Sequence, residues 1–216
     1  MAGAAERVGR DPTELRLIAV GKTHPAAYVK EAVEAGVTDL GENRVQEAAA
    51  KKPDVPGATW HLIGRLQRNK ARVALATFDV IQTVDRPTLV ERLAALLEKE
   101  WPGRRLQVLV EVNVGGESQK TGVLPAGAEN LVREVLGQPC LELAGLMTVP
   151  PFLADPEAVR PYFRRLRVLR DELSQRLGAP IPQLSMGMSH DFEVAIEEGA
   201  TWVRVGTAIF GPREGR

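Results

Sequence analysis

Ala32-Val33-Glu34-Ala35-Gly36-Val37-Thr38 and Ala195-Ile196-Glu197-Glu198-Gly199-Ala200-Thr201 are one passage written twice. In each, a run of helical period stops at a glycine, the residue that takes positive φ without steric cost, and a short strand-forming run follows at once. One corner between helix and strand, used near both ends of the chain, implies a repeated unit. Between the two copies, short apolar runs alternate with longer segments of helical period, the pattern of βα units around a parallel sheet. Strands are expected at 15–21, 37–41, 59–63, 79–83, 106–113, 141–148, 182–185 and 201–205. Helical stretches are expected at 25–35, 44–51, 66–76, 87–100, 125–136, 156–177 and 191–198. Pro25, Pro87, Pro125 and Pro156 each stand where a first helical turn begins. Eight units over 216 residues leave about 27 residues each, near the lower limit for an α/β fold of the (β/α)8 TIM-barrel type. An open doubly wound sheet is the alternative, but no strand here runs into a G-x-G-x-x-G turn.

Composition narrows the function. No linker, low-complexity block or abrupt shift divides the chain, so a single domain over 1–216 is expected. Lys plus Arg (28) balances Asp plus Glu (28), leaving no basic field to hold nucleic acid or anionic lipid. Cys140 is the sole cysteine, and with no histidine cluster beside it neither a disulfide framework nor a metal site is expected. Met1 to Arg10 lacks the apolar core of a signal segment, and nowhere do 18 apolar residues run together, so a soluble, cytoplasmic protein away from membranes is expected. Arg160, Arg164, Arg167 and Asp171 lie opposite Phe163, Leu166, Leu169 and Leu173 at helical spacing, a solvated face over a core stripe.

A barrel builds its site where strands end at the C-terminal face. Of seven lysines, Lys22 alone terminates a strand, and by alternation it shares a side with Ile18 and Val20. A partly desolvated lysine there would attack an aldehyde as the free amine; a lysine reaching past the rim into water is the plain alternative. After Leu184 comes Ser185-Met186-Gly187-Met188-Ser189-His190-Asp191, and after Val205 comes Gly206-Thr207-Ala208-Ile209-Phe210-Gly211. These are the two loops where barrels commonly hold phosphate, and their amides with the Ser189 and Thr207 hydroxyls would serve. Each hydroxyl alone is equally an N-cap. Arg204 has the parity of Trp202 and should face inward, to an ion pair with Glu111 or Asp39 or to a ligand atom. An amine, a phosphate cradle and a buried arginine at one mouth suggest pyridoxal 5′-phosphate (PLP).

Five stretches carry a family resemblance: Ala19-Val20-Gly21-Lys22-Thr23, Gly41-Glu42-Asn43-Arg44-Val45-Gln46-Glu47, Trp60-His61-Leu62-Ile63-Gly64-Arg65-Leu66-Gln67-Arg68-Asn69-Lys70, Ser185 to Asp191, and Arg204 to Gly211. Together they resemble the pyridoxal phosphate homeostasis protein family. The resemblance implies a barrel related to the N-terminal domain of alanine racemase, standing alone, with PLP carried on Lys22 as an aldimine. It implies that Ser189, Gly206 and Thr207 hold the phosphate, that Arg204 lies beside the cofactor, and that Asn43 and His61 line the pocket. Where the family commonly has serine before the lysine this chain has Gly21, and its N-terminal helix looks short. The run Asn113 to Gly122 also looks like a family loop, whose Lys120 is read as a solvated lysine able to visit the mouth.

Three functions compete for these residues. A racemase or decarboxylase needs a second acid/base opposite the lysine, and the two tyrosines, Tyr28 and Tyr162, fall within helical stretches away from strand ends. A phosphosugar isomerase without PLP would have to draft Glu42 and His61 as its base and electrophile, and leaves Arg204 unexplained. The remaining reading is a PLP carrier or buffer without efficient catalysis and with no catalytic residue of its own. It is expected to act as a monomer, with PLP and PLP-dependent client enzymes as partners.

Overall fold

The computed structural model describes residues 1–211. Eight parallel strands, β1 (Arg16–Val20), β2 (Asp39–Glu42), β3 (Thr59–Leu62), β4 (Val80–Val84), β5 (Leu106–Glu111), β6 (Leu141–Met147), β7 (Gln183–Met188) and β8 (Trp202–Val205), close into a barrel in chain order. Closure is made where β1 pairs with β8, Ile18 lying opposite Arg204, as well as with β2. Around it lie α1 (Ala2–Arg7), α2 (Ala26–Glu34), α3 (Val45–Lys51), α4 (Ala71–Thr77), α5 (Pro87–Glu100), α6 (Pro125–Leu136), α7 (Arg160–Leu177), α8 (Phe192–Glu197) and α9 (Thr207–Phe210). None of the described helices is long and apolar enough to cross a membrane.

The doubled corner is the same structure twice. Gly36 and Gly199 sit at φ +103° and +99°. Val37 N donates to Ala32 O at 3.0 Å, and Ala200 N to Ala195 O at 2.8 Å. In both copies the strand begins three residues after the glycine, a little later than expected.

Alternation along each strand sorts side chains into two cores. On β8, Val203 and Val205 pack outward with the helices, while Trp202 joins Ile18, Val80, Leu109, Ala144 and Met147 inside the barrel. The interior is not wholly apolar: Asp39, His61, Gln82, Ser185 and Arg204 are buried as well.

Three expectations change. β7 does not stop at Ser185 but runs on to Met188, so Met186, Gly187 and Met188 are strand residues rather than part of a loop. The hydroxyl- and glycine-rich run looked like a turn, yet Gly187 carries the strand through at φ +92°. α9 has no counterpart among the expected helical stretches, being too short for periodicity to show, while α1 is the short N-terminal helix that the resemblance implies. α1 is held by its buried Ala4 and Ala5 and by Arg7, which donates to Glu193 at 2.6 Å and Glu197 at 2.9 Å on α8. The arginines of α7 are more than a solvated face: Arg160, Arg164 and Arg167 converge on Glu198, a buried carboxylate, at 3.3, 2.7 and 3.1 Å.

Candidate functional site

At the C-terminal mouth of the barrel lies a cavity of about 420 Å³, within the range of small-ligand sites. Six of the seven residues expected from sequence line it: Lys22, Asn43, Ser189, Arg204, Gly206 and Thr207. Val20, His24, Ile63, Val149, Phe152 and Met188 supply much of the rest.

Lys22 follows β1 after Gly21, and the turn is held by Thr23, a non-glycine residue at φ +68°. That left-handed conformation carries strain, which the Thr23 amide offsets by donating to Glu47 Oε2 at 3.4 Å. The Lys22 side chain is half-buried in the cavity wall. A Cβ on Gly21 would lie 2.7 Å from Val29 Cγ2, so helix α2 comes in close at the one point where the residue before the lysine has no side chain.

Arg204 rises from β8 into the cavity floor and is 4% exposed. It donates from Nη1 to Ser185 Oγ at 2.7 Å and from Nη2 to the Thr148 carbonyl at 2.8 Å. Among the described residues no carboxylate pairs with it: Asp39 pairs with Arg16 at 3.1 Å, and Glu111 accepts from the Thr121 hydroxyl at 2.5 Å. The ion pair considered from sequence is therefore absent. Burial pushes the guanidinium down to about 10, opposed by the charges of Asp191 and Glu111, so it remains a cation at neutral pH. Two neutral acceptors engage two of its five N–H groups.

The loops after β7 and β8 meet over the cavity. Gly206 N and Ala208 N donate to Ser189 Oγ at 3.2 and 3.4 Å, and Asp191 Oδ1 accepts from Met188 N at 2.6 Å, bracing the turn. A Cβ on Gly206 would come 3.2 Å from the Val20 carbonyl, tighter than ordinary contact, so a glycine keeps this corner open.

His61 departs from expectation. It is fully buried and does not line the cavity; its ring lies inside the barrel, edge-on to Trp202 at 5.3 Å. Its Nε2 meets Asp39 Oδ1 at 2.8 Å and its Nδ1 meets Gln82 Nε2 at 3.0 Å. Burial opposes the Asp39 charge, but hydrogen bonds from His61 and Thr38, with the charge of Arg16, outweigh it and hold the carboxyl below its usual range. Glu42 is no mouth base either: it faces α3, where Lys51 Nζ binds it at 2.6 Å. Lys120 is tied down, donating to the Pro150 carbonyl at 2.8 Å and pairing with Glu117 at 2.7 Å. Sequence reasoning passed over Gln82, Ser185 and Thr148 as partners at this floor. For Gln82 a signal existed: a lone amide with the parity of Val80 in an apolar strand.

The alanine racemase N-terminal domain family model matches residues 5–214. The pyridoxal phosphate homeostasis protein of Aquifex aeolicus is 45% identical over 214 residues, 98% of this chain and 92% of its own. The chain belongs to the pyridoxal phosphate homeostasis protein family. The Escherichia coli K12 homeostasis protein is similar at 40% identity over 224 residues, covering 99% of this chain and 92% of its own. The structure of PipY from Synechococcus elongatus with PLP bound is 38% identical and superposes with a TM-score of 0.84 over 96% of this chain and all (100%) of its own. Alanine racemase of Clostridium difficile, 13% identical, shares the barrel alone, with a TM-score of 0.78 over 99% of this chain and 56% of the racemase. Within the homeostasis protein family, then, the mouth of this barrel combines Lys22, Arg204 and the Ser189–Gly206 corner on one cavity.

Proposed function

We propose that the chain binds PLP covalently through Lys22 and serves in intracellular PLP homeostasis, holding and releasing the cofactor rather than turning over a substrate. The observation that carries this reading is the placing, on one cavity, of the Lys22 amine with a buried Arg204 cation whose hydrogen-bond partners among the described residues are neutral. A buried cation of this kind calls for an acceptor from a ligand. The donor set fits PLP at three points: an amine for its aldehyde, N–H groups for its ring end, and Ser189, Thr207 and the amides of 206–208 for its phosphate. When bound, PLP supplies an electrophilic carbon able to form and exchange a bond with amines.

The protein's own contribution is to orient. Arg204 cannot readily give up a proton, so it donates a hydrogen bond to the ring end without protonating it. Ser189 and Gly206 hold the phosphate end, and the Gly21–Thr23 turn presents Lys22. A racemase-like enzyme is the second reading. It needs a second acid/base at the mouth, and among the described residues neither Tyr28 nor Tyr162 lines the cavity. The chain is thus read as a monomeric carrier serving PLP-dependent client enzymes.

Mixing PLP-loaded protein with the apo form of a PLP-dependent enzyme tests the carrier role. Restoration of that enzyme's activity, at the expense of the protein's own bound absorbance, is expected. Failure to take up PLP at all contradicts the reading.

A further inference from the structure

Five hydrogen bonds run end to end through the barrel interior, crossing from β8 to β7, β4, β3 and β2 and on to β1. Arg204 Nη1 donates to Ser185 Oγ at 2.7 Å, and Ser185 Oγ donates to Gln82 Oε1 at 2.6 Å. Gln82 Nε2 lies 3.0 Å from His61 Nδ1, and His61 Nε2 2.8 Å from Asp39 Oδ1. Arg16 Nη1, at the opposite end of the barrel, donates to the same oxygen at 3.1 Å. Every member except Arg16 is buried.

One assignment of protons satisfies the whole column. Arg204 can only donate, so the Ser185 oxygen accepts and its proton goes on to the Gln82 carbonyl. The amide nitrogen then faces His61 Nδ1, which accepts, leaving Nε2–H for the Asp39 carboxylate. Turning the amide round would leave the Ser185 proton with no acceptor in the column. The direction is therefore set at both ends, by a guanidinium and a carboxylate.

We propose that Ser185 and Gln82 are positioning residues: they head a column that fixes the Arg204 guanidinium at the cavity floor, with its remaining N–H groups presented to the ring end of the bound cofactor. This rests on the PLP reading above. The physical case is preorganisation. An arginine side chain has several soft torsions, and anchors on Nη1 and Nη2 restrict them before the ligand arrives. A neutral hydroxyl anchors the guanidinium without competing for it as a carboxylate would. The column also explains why a serine, a glutamine and a histidine occupy interior positions that barrels usually fill with branched aliphatics.

The test compares PLP with its analogue carrying CH in place of the ring nitrogen, titrated by absorbance against wild type, Ser185→Ala and Gln82→Leu. Each variant is expected to weaken PLP by about tenfold while changing the analogue by less than about twofold. An equal loss on both ligands, which general loosening of the barrel would give, overturns the proposal, as does no loss on PLP. A second measurement needs neither variant nor ligand. Nitrogen-15 NMR of the ligand-free protein is expected to find His61 neutral, with Nε2 protonated and Nδ1 accepting. A proton on Nδ1 overturns the column. A wild type that takes up no PLP contradicts the functional reading, and the His61 spectrum then decides the column separately.

Discussion

Ser189 Oγ accepts the Gly206 amide at 3.2 Å, so the loops that follow β7 and β8 are laced together at the mouth by neutral groups. Phosphate recognition on this account needs no lysine or arginine side chain from either loop. Pyridoxal without phosphate is expected to bind far more weakly than PLP. Ser189→Ala removes one charge-assisted hydrogen bond, a loss of about 1.5 to 3 kcal/mol, or about tenfold to a hundredfold in PLP affinity. A competition titration measures both, and equal affinity for pyridoxal and PLP would contradict the placement.

No efficient racemisation is expected. Inverting an α-carbon needs two bases on opposite faces, each about 3 Å away; neither tyrosine lines the mouth, and of the other titratable side chains that line it beside Lys22, Asp191 is engaged by Met188 N at 2.6 Å and His190 by the Ala154 carbonyl at 3.0 Å, which leaves His24 as the side chain to examine first. Incubation of PLP-loaded protein with L-amino acids in deuterated water should leave them unracemised. Inversion with α-deuterium incorporation at rates on the order of 1 s⁻¹ or faster would reveal a second base.

Glu198 predicts an acid-sensitive brace. Burial alone would raise its pKa, but the hydrogen bonds from Arg164 and Arg160 outweigh that and hold it below the ordinary value of 4.5. Because the folded value lies below the unfolded one, the carboxylate stabilises the fold above about pH 4.5, and that contribution fades as pH falls through the folded value. Arg164 and Arg167 are 59% and 41% exposed, so solvent screens part of the interaction. Glu198→Gln should cost about 1 to 2 kcal/mol at pH 7 and much less at pH 3. Urea unfolding at the two pH values checks this, and an undiminished difference at pH 3 would show that the charge is not the cause.

Gly21 predicts a coupled pair. Its absent Cβ would sit 2.7 Å from Val29 Cγ2, so Gly21→Ser should destabilise by about 1 to 2 kcal/mol through overpacking. The cost should shrink in a Val29→Ala background, giving a clearly non-additive double-mutant cycle. Additive effects would mean that α2 moves aside freely.

How much of this was legible depended on how local the signal was. The doubled Gly36 and Gly199 corners and the parity of Trp202 and Arg204 are properties of single elements, and they located the barrel and its inward arginine correctly. The end of β7 is less legible: a serine, a glycine and a second serine within five residues read as a turn following Ser185, whereas the strand runs on to Met188. His61 was placed one layer too high. Parity shows that a strand residue faces inward but not how deep it sits, which depends on the register of β3 against β2, where His61 pairs with Gly41. The column from Arg204 to Asp39 was invisible for the same reason. Each member has the right parity on its own strand, but their contacts follow from the stagger of the closed barrel rather than from any sequence neighbourhood.

Lys22 is proposed as the amine that carries PLP. Borohydride reduction of the PLP-loaded protein followed by peptide mapping tests it most directly. The expected result is a protein whose bound absorbance disappears on reduction with the label on Lys22, and a Lys22→Ala variant that is folded but takes no label. Label on Lys120 or another lysine with Lys22 unmodified would contradict it.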